Sequence, residues 1–341
     1  MRNFKFKTAN LVLVLVLSLF ILMSCNTDES PLGEPPVITK VSTSIGDVET
    51  TQGYANNFYI VRGSGFSTVK KVYFNETDTY FNPTLVTETV IIVRIDENTP
   101  YENASNELRI VNDAGTAVYP FIVAPPAPTL KSFNPINALE GETVIISGSF
   151  FLDPVVTVGN VEVTPVSSSL TEIEIVMPAN ANHKYITVET ISGESISKAA
   201  VGTAIFDDVL YYGFSIDWGG VIEANDDARQ GNNVITVENV GGWGSWGLNW
   251  PWPPIPLADY PDIRMSIKSD NPGKIEIIYN GDWSGENTMV LDTTSEWTDF
   301  VIPISTFDSG YDTTQLKNLS FKNATPDGNT YYFDNMGFTI D

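Results

Sequence analysis

Beyond residue 35 the hydrophobic positions of this chain come in short β-branched and aromatic runs separated by turn residues. Examples are Asn57 to Val61, Thr89 to Val93 and Leu108 to Val111. The same rhythm continues at Asn233 to Val237, Asp262 to Lys268, Lys274 to Tyr279, Thr298 to Ile304, Leu319 to Lys322 and Thr330 to Phe333. Almost no stretch carries the spacing of an amphipathic helix. Runs of this length bounded by Gly, Pro, Asn and Asp read as strands, and many of them in series predict an all-β chain of sandwiches.

The pattern repeats once. The first copy opens at Pro36-Val37-Ile38 and contains Val61-Arg62-Gly63-Ser64-Gly65-Phe66, then Val72-Tyr73-Phe74-Asn75. The second opens at Pro128-Thr129-Leu130 and contains Ile146-Ser147-Gly148-Ser149-Phe150-Phe151, then Val156 to Asn160. The offset is about 85 residues, counted from Gly63 to Gly148. Each copy closes with a strand, a Gly turn (Gly115, Gly193) and a last strand. This resembles the IPT/TIG immunoglobulin-like family, in which a strand leads into Gly-x-Gly-Phe. Glycine there admits a left-handed turn, and the Phe is expected to plug the sandwich. The second copy has Phe150 in place of the second Gly, so its turn is expected to differ. Ala124-Pro125-Pro126-Ala127-Pro128 separates the copies. Proline favours extended backbone, so the linker reads as short and stiff, and the two modules as spacers in a semi-rigid rod. Protein docking or a second glycan site are the other roles open to them.

From Thr203 the composition shifts toward Trp, Gly, Asp and Asn. Phe206-Asp207-Asp208 opens this stretch and Asp217-Trp218-Gly219-Gly220 follows. Trp297 to Phe307 is similar to the Trp-x-x-x-x-Ile-Pro-Leu-Ser-x-Phe strand of galactose-binding-like carbohydrate-binding modules, and Tyr331 to Phe338 to their closing strand. The resemblance implies a jelly roll over 203–341. The expected organisation is a leader at 1–24, an acidic, Pro-containing tether at 25–35, Ig-like domains at 36–124 and 125–202, then the jelly roll.

All seven Trp lie between Trp218 and Trp297. Trp243, Trp246, Trp250 and Trp252 are interleaved with Gly and Pro, a composition hard to bury in one layer. Trp246, Trp250 and Trp252 share parity, so extended backbone would put them on one face. The prolines at 251, 253, 254 and 256 argue for a loop or an edge. The alternative is a hydrophobic plug, expected for one or two of the four. Trp218 and Trp283 sit in Gly/Asp/Ser turns as flanks of the same site. Trp297 is assigned to packing. A pyranose lays its C–H face on an indole while its hydroxyls seek donors and acceptors. Asn249 and Asp282, with Asp217 and Asn280, are placed to supply them. The predicted glycan site is therefore Trp243, Trp246, Trp250, Trp252, Trp218, Trp283, Asn249 and Asp282. By the same resemblance Asp207, Asp208 and Asp334 would hold a structural calcium between first and last strands; the alternative is exposed turn acids. No other cofactor is expected.

Charge narrows the ligand. Eighteen Lys and Arg stand against 42 Asp and Glu, a net charge of -24. Such a surface repels nucleic acid and disfavours anionic polymers, leaving neutral glycans. With one His and one Cys in the chain, a His/Cys zinc site is excluded. The Cys, Cys25, follows basic Arg2, Lys5 and Lys7 and an apolar run from Leu11 to Met23. Leu22-Met23-Ser24-Cys25 resembles the bacterial lipobox, which implies lipidation at Cys25; the alternative is an ordinary signal peptide. Asn26 to Ser30 is similar to the acidic export signal of surface lipoproteins. The whole order resembles surface glycan-binding lipoproteins of polysaccharide-utilisation systems. That implies a non-catalytic protein anchored in the outer membrane and facing outward. It would bind a neutral polysaccharide, best matched by a β-glucan such as β-1,3-glucan, and pass it to a TonB-dependent importer. An adhesin with Trp hot spots and a small glycoside hydrolase are the rival classes.

Overall fold

The runs become strands, and their alternation becomes alternation of faces. A computed structural model describes residues 33–249, 253–286, 288–307 and 313–340. The leader, Cys25 and the start of the tether lie outside the described residues. Apart from 3-10 turns at Pro83–Leu85 and Ile304–Phe307, the regular elements described are all β-strands. The chain is all-β: two Ig-like sandwiches and a two-sheet jelly roll. It divides into two compact units, one ending at Ala124 and one beginning at Pro125. The second unit holds the second sandwich and the jelly roll together.

The first sandwich pairs Val37–Thr43, Phe58–Ser64 and Val90–Arg94 in one sheet. Thr77–Thr79, Val69–Phe74, Glu107–Asn112 and Gly115–Pro120 form the other. Val61, Phe66, Val72, Phe74, Ile91 and Ile110 are buried between them. The Gly-x-Gly-Phe segment explains itself in space. A Cβ on Gly63 would lie 1.8 Å from the Val37 carbonyl oxygen and 2.7 Å from the Phe66 ring. Only hydrogen fits there. Gly148 repeats the arrangement against the Thr129 carbonyl (2.0 Å) and the Phe151 ring (2.3 Å). Both plug residues, Phe66 and Phe151, are buried as expected. The expected difference in the second turn is absent. Gly65 has φ 72° and Phe150 has φ 61°, so a bulky residue adopts the same left-handed turn. That conformation costs a non-glycine residue about 1–2 kcal/mol.

The jelly roll closes over one core. Its larger sheet runs Val209–Leu210, Ala204–Asp207, Asn329–Phe338, Asn233–Val240, Gly220–Ala224, with Asp262–Ser269 and Thr298–Pro303 attached through Asn329–Phe338. Its second sheet runs Ser215–Asp217, Ser245–Asn249, Leu319–Asn323, Gly273–Tyr279, Thr288–Thr293. Aromatic rings bridge the sheets: Trp246 stacks on Phe321 at 4.7 Å and meets the edge of Phe333 at 4.4 Å.

The three acids proposed for calcium do other work. The Asp334 carboxylate accepts the backbone N–H groups of Arg229 (2.7 Å), Gln230 (2.9 Å) and Asn335 (2.6 Å). Asp208 accepts those of Asn232 and Asn233, both at 2.6 Å, and the Asn134 side-chain amide at 2.7 Å. Gly231 is required beside it, since a Cβ there would lie 2.4 Å from the carboxylate. Asp207 accepts the Ile136 N–H. Among the described residues no three His, Cys, Asp or Glu side chains gather closely enough to hold a metal. Asp334 and Asp208 are engaged by N–H donors, Asp207 accepts the Ile136 N–H, and the three do not converge on one ion with the several oxygen ligands that calcium needs. Nor are they exposed turn acids, because Asp207 and Asp334 are buried. Asp207 and Asp208 fasten the second Ig-like sandwich to the jelly roll through Ile136 and Asn134, while Asp334 holds the Arg229-Gln230 turn inside the jelly roll. Asn137 adds a reciprocal pair with the Ala204 backbone, both bonds at 2.9 Å. Lys198 reaches Asp299 at 2.6 Å across the same junction.

Burial pushes the Asp334 carboxyl up to about 7 and that of Asp207 up to about 6. Each therefore holds its proton more tightly folded than unfolded. Stability of the second unit should rise as pH falls from about 7.5 to 5, by about 1 kcal/mol or more, before the surface carboxylates titrate. Thermal melts of the full chain across that range check this. A melting temperature that falls steadily from pH 7.5 to 5 would contradict it.

Candidate functional site

Strand parity decides which side chains of the five-stranded sheet point away from the core. Trp246 and Leu248 point into the core, so Ser245, Gly247 and Asn249 point out. Leu319 and Phe321 point in, so Ser320 and Lys322 point out. Ile275 and Ile277 point in, so Glu276 points out. The register aligns Ser245 with Lys322 and Lys322 with Glu276. The Lys322 ammonium and Glu276 carboxylate meet at 2.8 Å. The outer face is thus a polar floor, with Ser245, Asn249 and Lys322 half-buried along it and two small buried residues, Gly247 and Ser320, at its middle.

Exposed Trp side chains stand at both ends of this floor. Trp243 (60% exposed) and Trp218 (63%) lie at one end, where Asp217 pairs with Gly247. Trp283 (49%) lies at the other, in the turn between Gly273–Tyr279 and Thr288–Thr293. Trp218 and Trp243 adopt φ 61° and 64°. Left-handed backbone is an outlier for bulky residues. Strain of this kind persists where the surroundings hold it and clusters at ligand sites.

The surroundings do hold Trp243. The Asn323 amide, buried, donates to the carbonyls of Val240 (3.1 Å), Gly241 (3.3 Å) and Asp327 (2.8 Å). The Gly244 N–H closes the turn onto Gly241 at 2.8 Å. Gly242 is pressed against Pro326, where a Cβ would lie 2.0 Å from the carbonyl oxygen. The Lys322 ammonium sits 5.6 Å from the centre of the Trp243 ring, a cation–π contact that draws the indole over the floor. At the far end the Asn280 side-chain oxygen accepts the Lys317 N–H at 2.7 Å, and its amide donates to the Gln315 carbonyl at 2.9 Å. The Asp282 carboxylate accepts the Ser284 N–H at 3.0 Å. These bonds set the Trp283 turn.

Two residues of the expected site are corrected. Trp246 is fully buried in the ring stack and cannot meet a ligand; it is the plug that the Trp run was expected to contain. Asp282 is buried too, and it shapes the loop instead of facing solvent. Asn249 lies half-buried on the outward side of its strand, beside Ser215. Trp250 and Trp252 lie outside the described residues. Trp297 is half-buried on the other sheet, its indole N–H donating to the Asp227 carbonyl at 2.6 Å, in keeping with a packing role. Lys322 and Glu276 belong to the site and were not foreseen. Their signal was the alternation around Phe321 and Ile275.

Residues 128–203 match the family model of the IPT/TIG domain. The chain is similar in structure to the surface glycan-binding protein PbSGBP-B from Prevotella bryantii, with 17% identity, TM-score 0.51 and coverage of 91% of this chain and 99% of that one. It also aligns with SGBP-B from a complex xyloglucan utilization locus in Bacteroides uniformis (17% identity, TM-score 0.37, 90% and 100% covered). A third alignment is to a family 11 carbohydrate-binding module of a Clostridium thermocellum cellulosomal cellulase (21% identity, TM-score 0.30, 42% and 97% covered). The first of these shares the fold. No curated protein matches the chain.

Trp246→Ala should cost about 3–5 kcal/mol of stability, as buried aromatic truncations do. Asn323→Ala should cost about 1–3 kcal/mol, because three carbonyls lose their donor. Denaturant melts of the two variants test this; a surface-like change in either would refute the assigned burial.

Proposed function

We propose that this chain is a non-catalytic, cell-surface glycan-binding protein that captures a neutral polysaccharide on the outer face of its five-stranded sheet. The observation that carries the reading is the pair of Trp side chains, 218 and 243, held exposed in left-handed backbone at the rim of a polar floor. Indole faces supply C–H stacking, and the half-buried polar side chains of that face, Ser245, Asn249 and Lys322, supply hydroxyl partners. Glu276 is tied to Lys322, which itself lies against the Trp243 ring, and this suits a structural and hydrogen-bonding role better than that of a hydrolytic acid. The net charge of -24 favours a neutral ligand. A β-glucan such as β-1,3-glucan remains the substrate proposed.

The shared fold with a protein described as surface glycan-binding supports the same reading. The lipobox-like Leu22 to Cys25 supports a lipid anchor on the outer membrane. From that position the bound polymer would pass to an outer-membrane importer of the TonB-dependent kind.

Calorimetry or affinity electrophoresis against a panel of neutral polysaccharides tests the reading, and it fails if none is retained. Trp243→Ala, Trp218→Ala and Trp283→Ala should each weaken binding by about 10-fold, the worth of one aromatic contact. Their melting temperatures should stay near that of the parent, as for exposed positions.

A further inference from the structure

A cleft of about 750 Å³ opens where the second Ig-like sandwich meets the jelly roll. We infer that this junctional cleft is a second, weaker sugar site, lined by Tyr211 and Tyr212 from the jelly roll and by Asn180, Asn182, Glu140 and Glu142 from the sandwich. Its volume falls in the range of small-ligand sites. The inference rests on the chain being glycan-binding, and it adds a site on the opposite side of the edge strand from the Trp rim.

Three features point to a polyhydroxylated neutral ring. First, an aromatic wall is present. Tyr212 is partly exposed and held at φ 57°, the same left-handed conformation as Trp218 and Trp243. Its hydroxyl donates to the Gly202 carbonyl at 2.9 Å, which braces the ring against the sandwich. Second, the polar groups are of the right kind. Asn180 and Asn182 are exposed amides able to donate and accept, and the two glutamates accept. Third, no Lys or Arg lines the cleft, so an anionic ligand would meet no counter-charge.

The two sites are close in the chain. Tyr212 leads through Phe214 into the Ser215–Asp217 edge strand, and Trp218 follows directly after it. Six residue steps span no more than about 22 Å when extended. One polysaccharide chain could therefore touch both, and the second contact would act through effective concentration instead of intrinsic affinity.

The test uses the full chain with Trp218, Trp243, Trp250, Trp252 and Trp283 all replaced by Ala, so that the sheet face is silenced. Saturation-transfer NMR with cellotetraose, laminaritetraose and xylotetraose then reads what remains. Residual transfer to at least one of them is expected, and it should vanish on adding Asn182→Trp, which fills the cleft from an exposed position. Tyr212→Ala should abolish it as well; should that variant fail to fold, Asn182→Trp alone decides. In the otherwise unaltered chain, Asn182→Trp should leave tetrasaccharide affinity at the sheet face unchanged and lower polysaccharide affinity by roughly 10-fold or more. Binding by the unaltered chain with none by the variant lacking those five Trp overturns the second site and spares the first. Residual transfer that survives Asn182→Trp places the extra contact elsewhere and overturns it too. Failure of the unaltered chain to bind any glycan removes both.

Discussion

Trp246 lies against Phe321 and Phe333 at the centre of the jelly roll, and the exposed surface of the domain follows from that one burial. Side chains alternate along a strand, so fixing Trp246 inward fixes Ser245, Gly247 and Asn249 outward. A slip of one residue would place an indole in water and a serine in the core, which is why such a register is strongly specified. Phe321 pins the neighbouring strand in the same way and presents Lys322. The polar floor is thus the reverse side of an aromatic core, built by the same residues that close the sandwich.

The rim obeys a different constraint. Trp218 and Trp243 stand beyond strand ends in conformations that glycine or asparagine normally occupies. Glycines around them, Gly219, Gly242 and Gly244, let the backbone turn tightly enough to hold the rings out. Asn323 and Lys322 then limit where the Trp243 ring can go. Rigidity matters here because a sugar bound by few stacks cannot afford much ordering of its receptor.

Much of the architecture was legible from the chain. Strand periodicity, the repeat of Gly63 to Phe66 at Gly148 to Phe151 and the closing Tyr331 to Phe338 segment announced all-β modules in the right order. Local geometry was harder to see. The Trp run read as one surface, yet Trp246 turns inward because it sits in a strand while Trp243 sits in a turn. Nothing in the local sequence distinguishes those two indoles; the partner strand does. Phe150 was expected to alter its turn, but it adopts the same left-handed form as Gly65. Asp207, Asp208 and Asp334 read as ligands because the resembled modules hold calcium between their first and last strands. Their real partners are N–H groups more than 20 residues away in the chain for Asp208 and more than 70 for Asp207, a pairing no single-sequence pattern displays.

Those N–H bonds also bear on how the protein can be taken apart. Composition marks a border near Thr203, but the border crosses a hydrogen-bonded seam between sandwich and jelly roll. A fragment cut there would expose Asp207 and strand Asn137, Asn134 and Ile136 without their partners. The transplantable cassette is therefore sandwich plus jelly roll, starting at the prolines after Ala124. Within that cassette the sandwich is less a stalk than a foundation, and an engineer who trims it for economy would be trimming the glycan module itself.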